Sequence, residues 1–133
     1  DDHEQQVHAR AEKVARIADR LPIQRVSGPA TGDLLVVGWG STYGAIRSAV
    51  RRVRAEGKSV AFTHLRYINP FPKNLDDLLS RYRKVLVPEM NMGQLSLLLS
   101  AKYEADIVSF PKVKGSPFKI SEIAEKIGEL TQR

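Results

Sequence analysis

The chain has 133 residues, 42% of them hydrophobic, with 21 Lys and Arg against 15 Asp and Glu and a formal charge of +6. That length suits one globular domain able to bury ~two-thirds of its unfolded surface, and the lack of cysteine excludes disulfides, thiolate zinc sites, cysteine-ligated iron–sulfur clusters and a cysteine nucleophile in this chain. No apolar run approaches the ~18 residues of a membrane span, and the charged opening Asp1-Asp2-His3-Glu4 is no signal peptide, so a soluble, cytoplasmic setting is expected. A first residue that is Asp rather than Met, leading straight into a helical pattern, suggests a piece of a longer polypeptide.

From Gln5 to Leu21, Val7, Ala11, Val14, Ala18 and Leu21 recur at steps of three and four, an amphipathic helix stopped by Pro22. Residues 1–22 therefore read as a leader helix from a preceding domain, and 23–133 as the domain proper. Ile23 to Val26 is expected as a short edge strand before the Gly28-Pro29 loop. Leu34-Leu35-Val36-Val37 is a continuous apolar run, the pattern of a central strand covered on both faces. Gly38-Trp39-Gly40-Ser41-Thr42 follows as a tight turn whose hydroxyls are placed to accept from the first N–H groups of a helix. That helix has Ile46, Ala49, Val50 and Val53 on its inner face and Arg47, Arg51, Arg52 and Arg54 on the rest, with Gly57 as its C-terminal cap.

Ser59 to His64 is a second apolar strand, and Leu65 to Pro72 is a loop. Asn74 reads as a cap, with Asp76 and Asp77 at the positive end of a helix striped by Leu75, Leu78, Leu79 and Tyr82. Lys84 to Pro88 is a third strand, and Glu89 to Gln94 a second strand-to-helix turn leading into Leu95, Leu98, Leu99 and Tyr103. Asp106 to Phe110 is a fourth strand, and a last helix from about Ser121 turns Ile123, Ala124, Ile127 and Leu130 to one side. Strands alternating with helices at this spacing mean a mainly parallel sheet with helices on both faces. No internal repeat or low-complexity segment is present.

The densest basic group is Arg47, Arg51, Arg52, Arg54 and Lys58, and no aromatics interleave with it to stack on bases. A solvated helix face is the first reading, an acidic protein partner or bound phosphate the second, and nucleic acid the last.

Ligands of such folds meet the loops beyond the carboxyl ends of the strands. Three loops qualify. Gly38 to Gly44 fails the dinucleotide fingerprint: after Gly38 and Gly40 the third glycine should fall at Tyr43, and the ribose-binding acid is replaced by His64. It reads as a structural turn, with anion binding at the helix N–H groups as the alternative. His64-Leu-Arg66-Tyr-Ile-Asn69-Pro-Phe71-Pro72 holds groups able to meet a carboxylate or phosphate, Arg66 above all, yet gives His64 no positioned partner for acid–base catalysis. His3, His8 and His64 have no metal-ligand spacing. In the third loop Glu89 could accept several unpaired N–H groups as a structural cap, or reach a neighbouring domain.

These three stretches together, Asp33-Leu-Leu-Val-Val-Gly-Trp-Gly-Ser-Thr42, His64-Leu-Arg66 with Asn69-Pro70, and Val87-Pro-Glu-Met-Asn-Met-Gly-Gln-Leu95, resemble the C-terminal domain of the alpha subunit of 2-oxoacid:ferredoxin oxidoreductases, especially the 2-oxoglutarate type, over roughly Arg10 to Leu130. The resemblance implies the transketolase C-terminal-domain fold. That is an α/β/α sandwich on a five-stranded, mainly parallel sheet of order 1-3-2-4-5, whose first strand is an antiparallel edge. It also implies oxidative decarboxylation of a 2-oxoacid to an acyl-coenzyme A, a step of the tricarboxylic acid cycle, using thiamine diphosphate with magnesium and a 4Fe-4S cluster that reduces ferredoxin.

In that family the diphosphate site and the cluster belong to the beta subunit, and the substrate-gripping residues to the preceding pyrimidine-binding domain. No catalytic, cofactor-binding or metal-binding residue carries over to this chain. What the resemblance implies is an assembly role with those two neighbours, without nucleic acid or membrane as partners. Gly40, Ser41, His64, Arg66, Asn69, Glu89, Asn91 and Gln94 are its candidate crevice and interface residues. A free-standing anion- or nucleotide-binding module, and the equivalent domain of another transketolase-like thiamine enzyme, stay open as alternatives.

Overall fold

Alternation along one strand divides the molecule into its layers. In β1, Gly32–Trp39, Leu35 and Val37 point to one side of the sheet and Leu34 and Val36 to the other, and all four are fully buried. The computed structural model describes residues 2–90, 92–112 and 115–132, with side chains from residue 10 onward. After α1, Asp2–Arg20, come β1, a 3-10 turn at Gly40–Thr42, α2 (Tyr43–Ala55), β2 (Ala61–Leu65) and α3 (Leu75–Ser80). Then follow β3 (Tyr82–Glu89), α4 (Gln94–Lys102), β4 (Ile107–Pro111) and α5 (Ile120–Thr131).

The sheet has the order β2-β1-β3-β4, with every pair parallel. Leu35 aligns with Ala61 on one side and Val85 on the other, and Val85 in turn with Ile107, so the expected central position of the first apolar run holds. One face packs under α3 and α4 through Leu35, Val37, Leu75, Leu79, Val85, Val87, Leu95 and Leu99. The other packs under α2 and α5, which lie against each other, through Leu34, Val36, Ile46, Val50, Leu86, Ile123 and Ile127. Burying a Leu or Ile contributes about 1.5–3 kcal/mol, so these two layers are the main source of stability. Among the described residues no helix is long and apolar enough to cross a membrane.

Among the described residues the expected fifth, antiparallel edge strand is absent. Ile23 to Val26 forms no strand, and only Ser27 makes an antiparallel bridge, to Phe62, through two backbone hydrogen bonds of 2.8 and 2.9 Å. Side chains take the place of the missing ladder. Asn74 accepts from the Gln24 N–H (2.8 Å) and donates to the Gln24 carbonyl (2.9 Å), and the Thr63 hydroxyl donates to the Arg25 carbonyl (2.6 Å). Gly28, at φ +97°, and Pro29 then turn the chain away before a second pair can form.

Three local expectations are corrected by the same accounting of backbone partners. Asn74 does not cap α3 with its side chain, because that amide clamps Gln24 instead. Tyr82 begins β3 rather than ending the α3 stripe, since the helix stops at Ser80; its hydroxyl donates to the Pro29 carbonyl at 2.6 Å. Ser41 and Thr42 do not cap α2, and the Thr42 hydroxyl donates back to the Trp39 carbonyl at 3.1 Å. The Gly57 cap is found as expected, its N–H donating to the Arg54 carbonyl at 2.9 Å.

Candidate functional site

At the carboxyl end of the sheet, β1 and β2 finish side by side, with Gly38 opposite His64 and Trp39 opposite Leu65. Gly38 permits that closeness. A Cβ there would stand 2.7 Å from Ile46 Cδ1 and 3.4 Å from His64 Nδ1, so the imidazole and the first turn of α2 fold over bare backbone. Tyr43 closes the other side, its ring meeting the imidazole edge-on at 5.0 Å and tilted against Phe62 at 5.9 Å. Burial, and after it the Arg66 guanidinium, holds the His64 pKa below its ordinary 6.5. Both causes favour the neutral ring. Its Nδ1 is buried and makes no hydrogen bond among the described residues.

Trp39, Gly40, Tyr43, His64, Leu65 and Arg66 line a cleft of about 620 Å³. A smaller hollow of about 320 Å³ adjoins it across His64 and Arg66, walled by Pro22, Gln24 and Tyr67. Together the two hollows present the Arg25 and Arg66 guanidiniums, the His64 imidazole and the Gln24 amide, with aromatic walls and no carboxylate. Such a surface can seat an anionic or planar group of a neighbour. It lacks a carboxylate to orient the imidazole as a general base.

Glu89 behaves otherwise. It is 1% exposed, and its two carboxylate oxygens accept from the Leu95 N–H (2.7 Å), the Ser96 N–H (3.1 Å) and the Ser96 hydroxyl (2.9 Å). The carboxylate is the cap of α4, completing N–H groups that the helix leaves unpaired, and is not presented on the rim as a docking group. Gly93 makes the reach possible: its φ is +80°, and a Cβ there would lie 2.9 Å from the Ser109 hydroxyl.

The sequence-derived residues accordingly separate. Gly40, His64 and Arg66 share the cleft; Ser41 is exposed beside it without lining it. Asn69, before a cis peptide to Pro70, faces a different hollow of about 530 Å³ with Val14, Phe71, Leu98 and Lys102. Gln94 lines a third, of about 350 Å³, with Met92, Leu97 and Ser109. Asn91 lies outside the described residues. Sequence reasoning missed Trp39, Tyr43 and Ser96. Aromatics in the turn after a central strand were a usable signal for the first two, whereas nothing local marks a serine as the partner of an acid seven residues earlier.

Among the described residues no three His, Cys, Asp or Glu side chains come together, and the one acid near the crevice is engaged by α4.

The family model described as pyruvate:ferredoxin oxidoreductase core domain II matches residues 32–123, from the start of β1 into the first turn of α5. The chain belongs to this family. It is 48% identical over 127 residues to the 2-oxoglutarate oxidoreductase subunit KorA of Mycobacterium tuberculosis, covering 94% of this chain and 19% of that protein. It is 30% identical over 132 residues to subunit alpha of 2-oxoacid:ferredoxin oxidoreductase 2 of Aeropyrum pernix, covering 92% of this chain and 20% of that one. The chain thus spans about a fifth of the length of these relatives.

A solved 2-oxoglutarate:ferredoxin oxidoreductase from Magnetococcus marinus, with 2-oxoglutarate, coenzyme A and succinyl-CoA bound, superposes with a TM-score of 0.88 at 30% identity, over 98% of this chain and 23% of that one. A split-gene transketolase, inactive as a beta4 tetramer, superposes with a TM-score of 0.59 at 14% identity, over 80% of this chain and 41% of that one, which shows a shared fold. The resemblance drawn from the three loop motifs is upheld.

Proposed function

We propose that this domain is the non-catalytic assembly domain of the alpha subunit of a thiamine-diphosphate-dependent 2-oxoglutarate:ferredoxin oxidoreductase. The whole enzyme converts 2-oxoacid and coenzyme A to acyl-coenzyme A, carbon dioxide and reduced ferredoxin in the cytoplasm. The observation carrying this reading is the agreement in shape, over 98% of the chain, with under a quarter of a 2-oxoglutarate:ferredoxin oxidoreductase. One domain of a larger machine is what such a match describes. On this reading the pyrimidine-binding domain precedes α1, which serves as connector, and the thiamine diphosphate and 4Fe-4S cluster sit on the beta subunit.

The exposure of these side chains supports the same division of labour. Arg66 and Asn69 are exposed and suited to contacts with neighbours, whereas Glu89 holds the platform's own shape. The test is the double variant Arg66→Ala, Asn69→Ala in the full-length subunit co-expressed with its partner. Native mass measurement should show less assembled complex, with turnover falling in proportion to the loss. Intact assembly with lost turnover would instead make these residues part of the substrate machinery and sink the proposal. The isolated 133-residue chain should convert no oxoacid.

A further inference from the structure

The assembly reading leaves one feature of the molecule unused, on the opposite side of the sheet from Glu89. Along the outer surface of α2, Tyr43, Arg47 and Arg51 follow one another at four-residue steps and stand on one stripe. With Ser27, Val50, Arg54 and Phe62 they enclose a groove of about 280 Å³. Arg54 is its fixed wall. Its guanidinium donates to the Val60 carbonyl (3.1 and 2.9 Å), the Ser27 carbonyl (3.0 Å) and the Ser27 hydroxyl (3.3 Å), all neutral acceptors that hold its place without cancelling its charge. Gly28 is bare where a Cβ would run into that guanidinium at 2.3 Å.

Arg47 and Arg51 are exposed, and among the described residues no carboxylate lies within ion-pair distance of Arg47, Arg51, Arg52 or Arg54. The helix itself carries no acid from Tyr43 to Ala55. Arg47, Arg51 and Arg54 thus line one groove with Tyr43 and Phe62, and among the described residues no carboxylate pairs with them, a positive potential that favours an acidic partner.

Geometry selects the partner. Guanidiniums one helical turn apart, about 6 Å at their bases, can meet two carboxylates spaced by four residues on a helix or by two on a strand. An exposed Tyr beside two unpaired Arg is also the side-chain set that dominates protein interfaces. We propose that the Tyr43–Arg47–Arg51 stripe of α2 receives an acidic segment of a neighbouring polypeptide in the assembled enzyme. The inference rests on the assembly reading and names one of its contacts.

Two measurements on the co-expressed complex test it. In the variant Arg47→Glu, Arg51→Glu the salt concentration at which the complex dissociates should fall by two-fold or more, with the circular dichroism of the subunit unchanged. In the variant Arg47→Lys, Arg51→Lys, carbodiimide treatment should join position 47 or 51 to an Asp or Glu of a neighbouring polypeptide, located by mass spectrometry. An unchanged dissociation midpoint overturns the proposal, as do cross-links confined to this domain. So does an inorganic pyrophosphate-induced rise in melting temperature that the charge reversal abolishes while assembly stays intact, since that assigns the groove to a small anion. If Arg66→Ala, Asn69→Ala weakens assembly and the charge reversal does not, only this inference falls; if the wild-type subunit recovers no partner at all, the assembly reading falls with it.

Discussion

The two turns that follow β1 and β3 occupy equivalent places at the carboxyl ends of adjacent parallel strands, and they are built on opposite principles. After β3, a buried carboxylate folds back onto the first N–H groups of α4, and the turn is sealed. After β1, no side chain caps the start of α2, Gly40 and Ser41 are exposed, and a cleft walled by Trp39, Tyr43 and His64 opens beside them. Topology alone therefore does not make a site. What decides is whether the turn completes its own backbone groups from within or leaves them facing outward.

The contrast is sharpest at Glu89. Replacing it by Leu strips two N–H groups and the Ser96 hydroxyl of their acceptor in a dry place, and urea denaturation should show a loss of about 3 kcal/mol. Gly93→Ala attacks the same turn through its backbone, adding a left-handed penalty and a contact with Ser109, for about 1–2 kcal/mol by the same assay. Asn74→Ala releases the clamp on Gln24 and should cost about 1–2 kcal/mol, with faster amide exchange at residues 23–27 as its local signature.

On the open turn, effects should be smaller. His64 titrates lower in the folded chain than in the unfolded one, so protons bind the unfolded state more readily. The contribution of His64 is complete above pH 6.5 and is lost as the pH falls toward the folded pKa. His64→Phe should flatten that segment of the stability profile, and a profile identical to wild type would remove the buried-imidazole account. Ser41→Ala should change stability by less than about 0.5 kcal/mol, because its exposed hydroxyl caps nothing. A cost comparable to that of Glu89→Leu would erase the distinction between the turns.

How much of this could be read in advance follows from the range of the interactions. Leu34 to Val37 announced a central strand, and Ile46, Ala49, Val50 and Val53 announced the helix that covers it, because burial on a sheet or helix face imposes a period on neighbouring residues. The edge at Ile23 to Val26 departs from the expected strand because its hydrogen bonds go to Asn74 and Thr63, 50 and 38 positions away, and no local pattern records them. The candidate crevice residues do not form one site. Gly40, His64 and Arg66 do meet, while Asn69 and Gln94 face hollows of their own and Glu89 turns inward.

By itself the sequence determined the alternation of strands and helices, the two faces of each, and a family signature carried by three short loops, since these depend on residues close together in the chain. Only the tertiary structure decided that Glu89 is a cap, that the edge strand shrinks to one bridge, and that the arginines of α2 stand in a groove unanswered by any described carboxylate. Those outcomes turn on which polar group reaches a distant partner first, and a hydrogen bond is satisfied by position in space, whatever the separation along the chain.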